Sequence, residues 1–329
     1  MARSLREINE HIRKEAAFVR PLVAEASRLL IGQDKLLNRM LIALLSNGHI
    51  LIEGVPGLAK TLAVKTLAAA IDSQFQRVQF TPDLLPSDLV GTLVYHPSTG
   101  EFRPKLGPVF TNLLLADEVN RAPAKVQSAL LECMEERQVT LGDATYRLPE
   151  PFMVLATMNP IEQEGTYPLP EAQLDRFMLK VIITYPTRAD ERRVVEMMSG
   201  EAPPPPQPVV DGQAVVAARR HVDDVYVDEK VIDYALNIVE ATRKPAENGF
   251  KKLQAFVAMG ASPRATIALI RAAKASAFVN GRGYVTPDDV KALAPDVLRH
   301  RLLLTFEAQA ENISTAQVIQ QILRQIEVP

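Results

Sequence analysis

Apolar positions in this chain recur first at helical spacing, then in short buried runs, then at helical spacing again. From Leu5 onward, Leu5, Ile8, Ile12, Val19, Leu22, Val23, Leu29 and Leu30 predict an N-terminal helical segment over 1–30. Pro21 lies inside it and predicts a break or restart, because proline lacks an N–H and crowds the preceding turn. The turn Ile31-Gly32-Gln33 leads into a helical pattern over 34–45. Ile50 to Ile52 then reads as a buried strand, followed by a glycine loop and a helix carrying Leu62, Val64 and Leu67. Further strands are predicted at 77–80, 113–116, 152–157 and 179–184, with an amphipathic helix over 124–137. Short apolar strands alternating with helices predict an α/β core with a five-stranded parallel sheet.

Two stretches alternate differently and read as hairpins. One runs over about 92–105 with turn residues Pro97, Ser98 and Gly100, and the other over about 139–148 around Gly142-Asp143. Between Thr81 and Gly91, prolines introduce a short helix. A helix over 187–198 precedes Pro203 to Pro206 and Pro208, a stiff extended linker. From Asp211 onward no strand pattern stands out. Helices are predicted over 227–242 and 263–279, from Thr286, and after Ser314, with Ser262 as N-cap and Pro263 in a first turn. The predicted organisation is therefore an N-terminal segment 1–30, an α/β core 31–186, a connecting helix and linker 187–210, and a smaller all-helical domain 211–329.

Composition narrows the class. The chain has 329 residues, 47% hydrophobic, with a net charge of −2. No long basic tract indicates nonspecific nucleic-acid binding, no apolar run approaches a membrane span, and the N-terminus has no signal-peptide core. Cys133 is the only cysteine, which excludes an intramolecular disulfide, and it reads as a buried small hydrophobe. These features fit the cytoplasm. His11, His49, His96, His221 and His300 have no metal-ligand spacing, which argues against a zinc site.

The chemistry centres on Gly54-Val55-Pro56-Gly57-Leu58-Ala59-Lys60-Thr61. A strand, a glycine loop, a lysine with a hydroxyl and then a helix make a phosphate loop. Glycines let backbone N–H groups turn toward a polyphosphate, and the helix aims its positive end at the same anion. Lys60 reaches the β and γ phosphates, and Thr61 offers its hydroxyl to Mg²⁺. Ala59 stands where the general pattern has glycine, which suggests that the backbone need not adopt a conformation only glycine can reach. The third strand ends in Asp117-Glu118, at the edge where open parallel sheets bind ligands. Asp117 suits Mg²⁺ held through water, and Glu118 suits a general base on water. Asn159, at another strand end, either orients that water or caps a turn. Arg176 either reaches a neighbour's site or forms a surface ion pair. Arg264, at a helix N-terminus, calls for an anionic partner, either nucleotide or carboxylate. Ile31-Gly32 either lines a base pocket or simply connects helices.

These pieces in this order resemble an AAA+ ATPase of the MoxR family, in the helix-2-insert branch with magnesium-chelatase ATPase subunits and MCM helicases. The carriers are Glu53 to Thr61, Leu115 to Pro123, Ala156-Thr-Met-Asn-Pro160, Leu174 to Phe177 and Gly260 to Arg264. The resemblance covers nearly the whole chain from about Ile31, and the N-terminal segment matches no motif. It implies a P-loop NTPase core followed by a helical lid, with ATP/ADP and Mg²⁺ as cofactors. Nucleotide would meet Gly54 through Leu62. Lys60 and Thr61 would be Walker A, Asp117 and Glu118 Walker B, Asn159 sensor 1, Arg176 an arginine finger acting on the next subunit, and Arg264 sensor 2. Ile31 and Gly32 would flank adenine. A trans arginine implies a homo-oligomer, a hexameric ring with both hairpins at its channel. The family implies chaperone-like remodelling of protein clients in cofactor insertion or complex maturation, with von Willebrand factor A-domain partners. Rival readings are an MCM-type nucleic-acid motor using Arg103, Lys105 and Arg147, a small-molecule P-loop kinase, and a nucleotide-gated assembly scaffold.

Overall fold

The computed structural model describes residues 4–159, 166–200 and 203–329. Backbone contacts divide the chain into two units. One holds 18–177 with 181–217, and the other holds the segment up to Ala17 together with 178–180 and 218–329. The first helix, α1 (Leu5–Glu15), belongs to the second unit and starts from a Ser4–Glu7 capping box. A 3-10 turn at Ala16–Phe18 separates it from α2 (Val19–Ser27). The break thus falls ahead of Pro21, which takes the third position of α2. There its missing N–H has no intrahelical partner to lose.

The α/β unit continues through α3 (Asp34–Leu45), β1 (Ile50–Glu53), α4 (Lys60–Ala70), β2 (Phe75–Gln79) and α5 (Pro86–Val90). A hairpin of β3 (Gly91–His96) and β4 (Glu101–Leu106) precedes β5 (Leu113–Asp117) and α6 (Ala124–Glu136). A second hairpin pairs β6 (Gln138–Leu141) with β7 (Ala144–Arg147) before β8 (Met153–Met158), α7 (Glu171–Leu174), β9 (Leu179–Ile182), α8 (Arg188–Ser199) and α9 (Gly212–Asp223), whose residues from Ala218 count with the second unit. The five-stranded sheet is parallel with order β2-β5-β8-β1-β9. Its central strands β1, β5 and β8 are apolar and buried apart from their C-terminal residues, as a strand covered on both faces requires. From β1 the chain crosses to β2 on one side, and from β8 it crosses to β9 on the other. The two connections part between β8 and β1, and this opens a crevice at the C-terminal ends of those strands.

Phe80, Leu114, Phe152, Val154 and Phe177 anchor the core around this sheet, together with Cys133. His49 is a satisfied core histidine. Its Nδ1 accepts from the Val154 N–H at 2.9 Å, so Nε2 carries the proton and donates to the Met134 carbonyl at 3.0 Å. The proline linker is strapped down within this unit. Arg28 Nη2 donates to the Pro204 carbonyl at 3.1 Å, and the Gln207 N–H donates to Glu25 Oε1 at 2.8 Å.

The second unit carries α10 (Glu229–Arg243), α11 (Pro263–Val279), α12 (Pro287–Leu298), α13 (Phe306–Ala310) and α14 (Thr315–Gln325). Side-chain oxygens of Asp228, Ser262, Thr286, Thr305 and Ser314 cap them, and Pro263 and Pro287 open two of them. Two strands that periodicity did not reveal, β10 (Val257–Met259) and β11 (Leu303–Leu304), form an antiparallel ladder. At three and two residues they are too short to show alternation. Among the described residues no helix is long and apolar enough to cross a membrane.

Candidate active site

The loop after β1 runs from Gly54 to Ala59, and α4 begins at Lys60. Gly54 is required by space, since a Cβ there would lie 2.4 Å from Ile183 Cγ1. Gly57 is required by conformation, at φ +85° with open surroundings. Ala59 takes the left-handed conformation, φ 55° and ψ 24°, that glycine favours. It is one that alanine also reaches, at some cost in strain, so it is not reserved to glycine. Leu58 is buried, Val55 half-buried, and Pro56 and Leu62 exposed. Lys60 folds back so that Nζ donates to the Gly54 carbonyl at 2.7 Å, across the loop. Burial pushes its pKa down, while the Asp117 and Glu118 carboxylates pull it back up. Thr61 follows, half-buried, at the second position of α4.

Gly32 in the Ile31-Gly32 turn has φ +72°. Buried Gln33, the next residue, donates from Nε2 to the Leu58 carbonyl of the loop at 3.4 Å.

Asp117 closes β5 and Glu118 follows in a left-handed conformation, φ 57° and ψ 52°. Thr157 on neighbouring β8 ties the two together. Its hydroxyl donates to Asp117 Oδ1 at 2.5 Å and accepts the Glu118 N–H at 2.9 Å. Asp117 Oδ2 also accepts from Arg77 Nε at 3.0 Å and Nη2 at 2.6 Å. Glu118 Oε2 accepts from Gln79 Nε2 at 2.7 Å and Arg121 Nη1 at 3.1 Å. Arg77, Gln79, Arg121 and Thr157 escaped the sequence reading. A signal existed in β2, whose i, i+2 residues Arg77 and Gln79 share a face and pair in register with Leu115 and Asp117 of β5.

Asn159 is buried just past the end of β8, and Pro160 of the same motif lies outside the described residues. Arg176 pairs through Nη2 with Glu135 Oε2 of α6 at 3.1 Å, both side chains partly exposed. This is the ion pair that was one of its two sequence readings. Arg264 occupies the second position of α11, where its N–H donates to Ser262 Oγ at 3.2 Å. The structure thus brings together Lys60, Asp117 and Glu118, and Gln33, next to the Ile31-Gly32 turn, reaches the loop.

The donor set suits a nucleotide with Mg²⁺. Open left-handed turns precede an eleven-residue helix whose first residue is lysine. The Thr61 hydroxyl and Asp117 carboxylate offer the hard oxygens Mg²⁺ prefers.

The hairpins carry no comparable chemistry. Every residue of β3 after Gly91, and all of β4, is exposed. Tyr95 and Phe102 pair across the strands with ring centroids 5.3 Å apart. The second hairpin is anchored by Val139 and Leu141, which are buried in the core.

Residues 49–179 match the model for the ATPase family associated with various cellular activities (AAA), and residues 253–322 match the AAA lid domain. Over 307 residues the chain is 49% identical to the chaperone MoxR1 of Mycobacterium tuberculosis, covering 93% of this chain and 81% of that one. It is 42% identical over 314 residues to YeaC, an uncharacterized protein of Bacillus subtilis, covering 94% and 95% respectively. A crystal structure of a candidate ATPase from Cytophaga hutchinsonii superposes with a TM-score of 0.91 at 50% identity, covering 98% of each chain.

Proposed function

Because the chain belongs to the MoxR family of AAA ATPases, we propose that it hydrolyses ATP to ADP and phosphate in a cytoplasmic homo-oligomeric ring, hexameric by family, and uses the cycle to remodel protein clients. The observation that carries the ATPase reading is Lys60 lying across the Gly54–Ala59 loop within the field of Asp117 and Glu118.

In this reading the loop N–H groups and the α4 N-terminus bind the phosphates, and Lys60 leaves the Gly54 carbonyl to reach the β and γ groups. Thr61, and Asp117 indirectly, would hold Mg²⁺, which when bound would neutralise charge on the phosphates. Glu118 takes the proton of a water that Asn159 helps orient. As the water oxygen bonds to the γ-phosphorus, the bond to the β-phosphate oxygen breaks and ADP leaves with the electron pair. Gln79 and Arg121 hold one Glu118 oxygen and leave the other for the water. Arg176 of a neighbouring subunit gives up its Glu135 pairing to steady charge on the transferring group, and Arg264 reads the nucleotide from the lid. Ile31 and Gly32 border the base.

The exposed Tyr95–Phe102 pair supports a client-binding role for the first hairpin. Apolar rings on a solvated hairpin suit an unfolded polypeptide better than a phosphate backbone. Arg103, one of the cations the nucleic-acid reading needs, is paired with Glu101 at 3.3 Å. A von Willebrand factor A-domain partner fits the same family role.

The test is phosphate release with and without reduced casein as a permanently unfolded probe. Wild type is expected to change rate with casein. Tyr95→Ser with Phe102→Ser is expected to keep the basal rate and lose the response. Loss of basal turnover in that variant, or casein-independence of wild type, contradicts the remodelling role. Lys60→Ala is expected to abolish turnover, and an active Lys60→Ala protein contradicts the site itself.

A further inference from the structure

His11 and His221 lie 210 positions apart in sequence, yet the rings meet edge to face with centroids 4.9 Å apart. His11 Nε2 and His221 Nδ1 face each other at 3.2 Å. A neutral imidazole carries one N–H, so two facing ring nitrogens require a proton or a cation between them. Glu15 stands on the far side of both rings, its Oε1 3.9 Å from His11 Nδ1 and its Oε2 3.5 Å from His221 Nε2. The carboxylate thus lies beside the outer nitrogens of both rings, at the limit of hydrogen-bond reach or beyond it. Carboxylates beside the outer nitrogens commonly accompany metal-binding histidines. Asp224 completes the group, for the ligand atoms of His11, His221 and Asp224 all lie within 4.8 Å of one another. All four residues belong to the second unit. His11 and Glu15 sit on α1, His221 near the end of α9, and Asp224 just beyond it.

We propose that His11, His221 and Asp224 bind one divalent transition-metal ion of the zinc class, which staples α1 to the end of α9. Two imidazoles and one carboxylate match a borderline metal, whereas Mg²⁺ selects oxygen. The spacing of the two ring nitrogens agrees as well. Metal–nitrogen distances of about 2.0–2.1 Å give a tetrahedral edge of about 3.3 Å, close to the observed separation. Both histidines are partly exposed, leaving room for water as fourth ligand. Among the described residues this is the one converging triplet of His, Cys, Asp or Glu. The sequence reading rejected zinc because the histidines are scattered. The fold, and not local spacing, brings them together.

The test uses the full chain, stripped with EDTA, in excess Mg²⁺ and ADP so that the phosphate-loop site is not counted. Zn²⁺ is titrated against a chromophoric chelator, and Co²⁺ is added for its ligand-field spectrum. Cys133 does not compete, because burial pushes its thiol up to about 12. Wild type is expected to bind one equivalent, show a four-coordinate Co²⁺ spectrum without thiolate bands, and melt higher with Zn²⁺ than without. His11→Ala and His221→Ala are expected to lose that equivalent while retaining Mg-ATPase. Glu15→Gln is expected to bind one equivalent about 10- to 100-fold more weakly. His11→Asn serves if an alanine variant misfolds. Zn²⁺ binding no tighter in wild type than in the His11→Asn, His221→Asn double variant, or identical Co²⁺ spectra for the two, overturns the proposal and leaves the pair sharing a proton.

Discussion

Gln79 donates from Nε2 to Glu118 Oε2 at 2.7 Å, while its own Oε1 accepts from Arg77 Nη2 at 2.8 Å. The amide is therefore oriented from both ends, and Arg77 also holds Asp117. Gln79→Leu is expected to lower kcat about tenfold, equivalent to about 1.4 kcal/mol of lost positioning, with the KM for ATP unchanged because Gln79 is not among the phosphate-binding residues. Glu118→Gln is expected to lower kcat by about two to four orders of magnitude and keep nucleotide binding. Steady-state kinetics with a fluorescent-nucleotide binding assay separates the two, and a Gln79→Leu enzyme with wild-type kcat counts against the positioning role.

The phosphate loop contains two small residues whose exchange has opposite signs. Ala59 is left-handed, so Ala59→Gly relieves about 1–2 kcal/mol of strain and returns about 0.4–1 kcal/mol through the freer unfolded chain. A net gain of about 0.5–1 kcal/mol is expected in urea unfolding. Gly54→Ala forces a Cβ to 2.4 Å from Ile183 Cγ1, and a loss of about 1–3 kcal/mol is expected. Equal effects from the two exchanges rule out this account of the loop.

Asp289 in the second unit receives both arms of Arg282, at 2.6 and 2.9 Å, and the Thr286 N–H at 2.9 Å. Burial pushes its pKa up, but the Arg282 and Thr286 hydrogen bonds outweigh burial and hold it below the ordinary carboxylate value. A carboxyl depressed on folding stabilises above its unfolded pKa, and that contribution is lost as pH falls through the folded value. Asp289→Asn is thus expected to cost about 3 kcal/mol at pH 7, with the gap to wild type narrowing below about pH 4. Urea unfolding at several pH values reads this, and a pH-independent gap contradicts it.

Cys133 is buried and its thiol is pushed up to about 12 by burial, with Glu132 adding to the shift. The native protein at pH 8 is expected to react with a disulfide reagent only as fast as it opens, and at full speed in denaturant. Rapid native labelling places the thiol on the surface instead.

What could be read from the sequence was local. Strand, glycine loop, lysine and helix follow one another within Ile50 to Ala70, and Ser262-Pro263 marks a helix start by its own chemistry. The carboxylates at the end of β5 needed only a short apolar run before them. What escaped depends on partners brought by the fold. Thr157 bridges Asp117 and Glu118 because β8 lies beside β5, and Gln79 meets Glu118 because β2 lies on the other side. His11 finds His221 for the same reason. At Ala59 side-chain size reported only that the conformation is not reserved to glycine; the left-handed geometry itself is set by the loop.

The central claim is a nucleotide site completed by a second subunit. The ATPase rate per subunit, measured against protein concentration for wild type, Glu118→Gln, Arg176→Ala and a mixture of the two variants, tests it most directly. A rate that rises with concentration, Arg176→Ala slowed about a thousandfold or more, Glu118→Gln slowed by about two to four orders of magnitude, and recovery on mixing are expected. Recovery follows because an Arg176→Ala subunit keeps its own Glu118 and borrows Arg176 from its Glu118→Gln neighbour. A concentration-independent rate with Arg176→Ala fully active would contradict the shared site and leave Arg176 as the surface partner of Glu135.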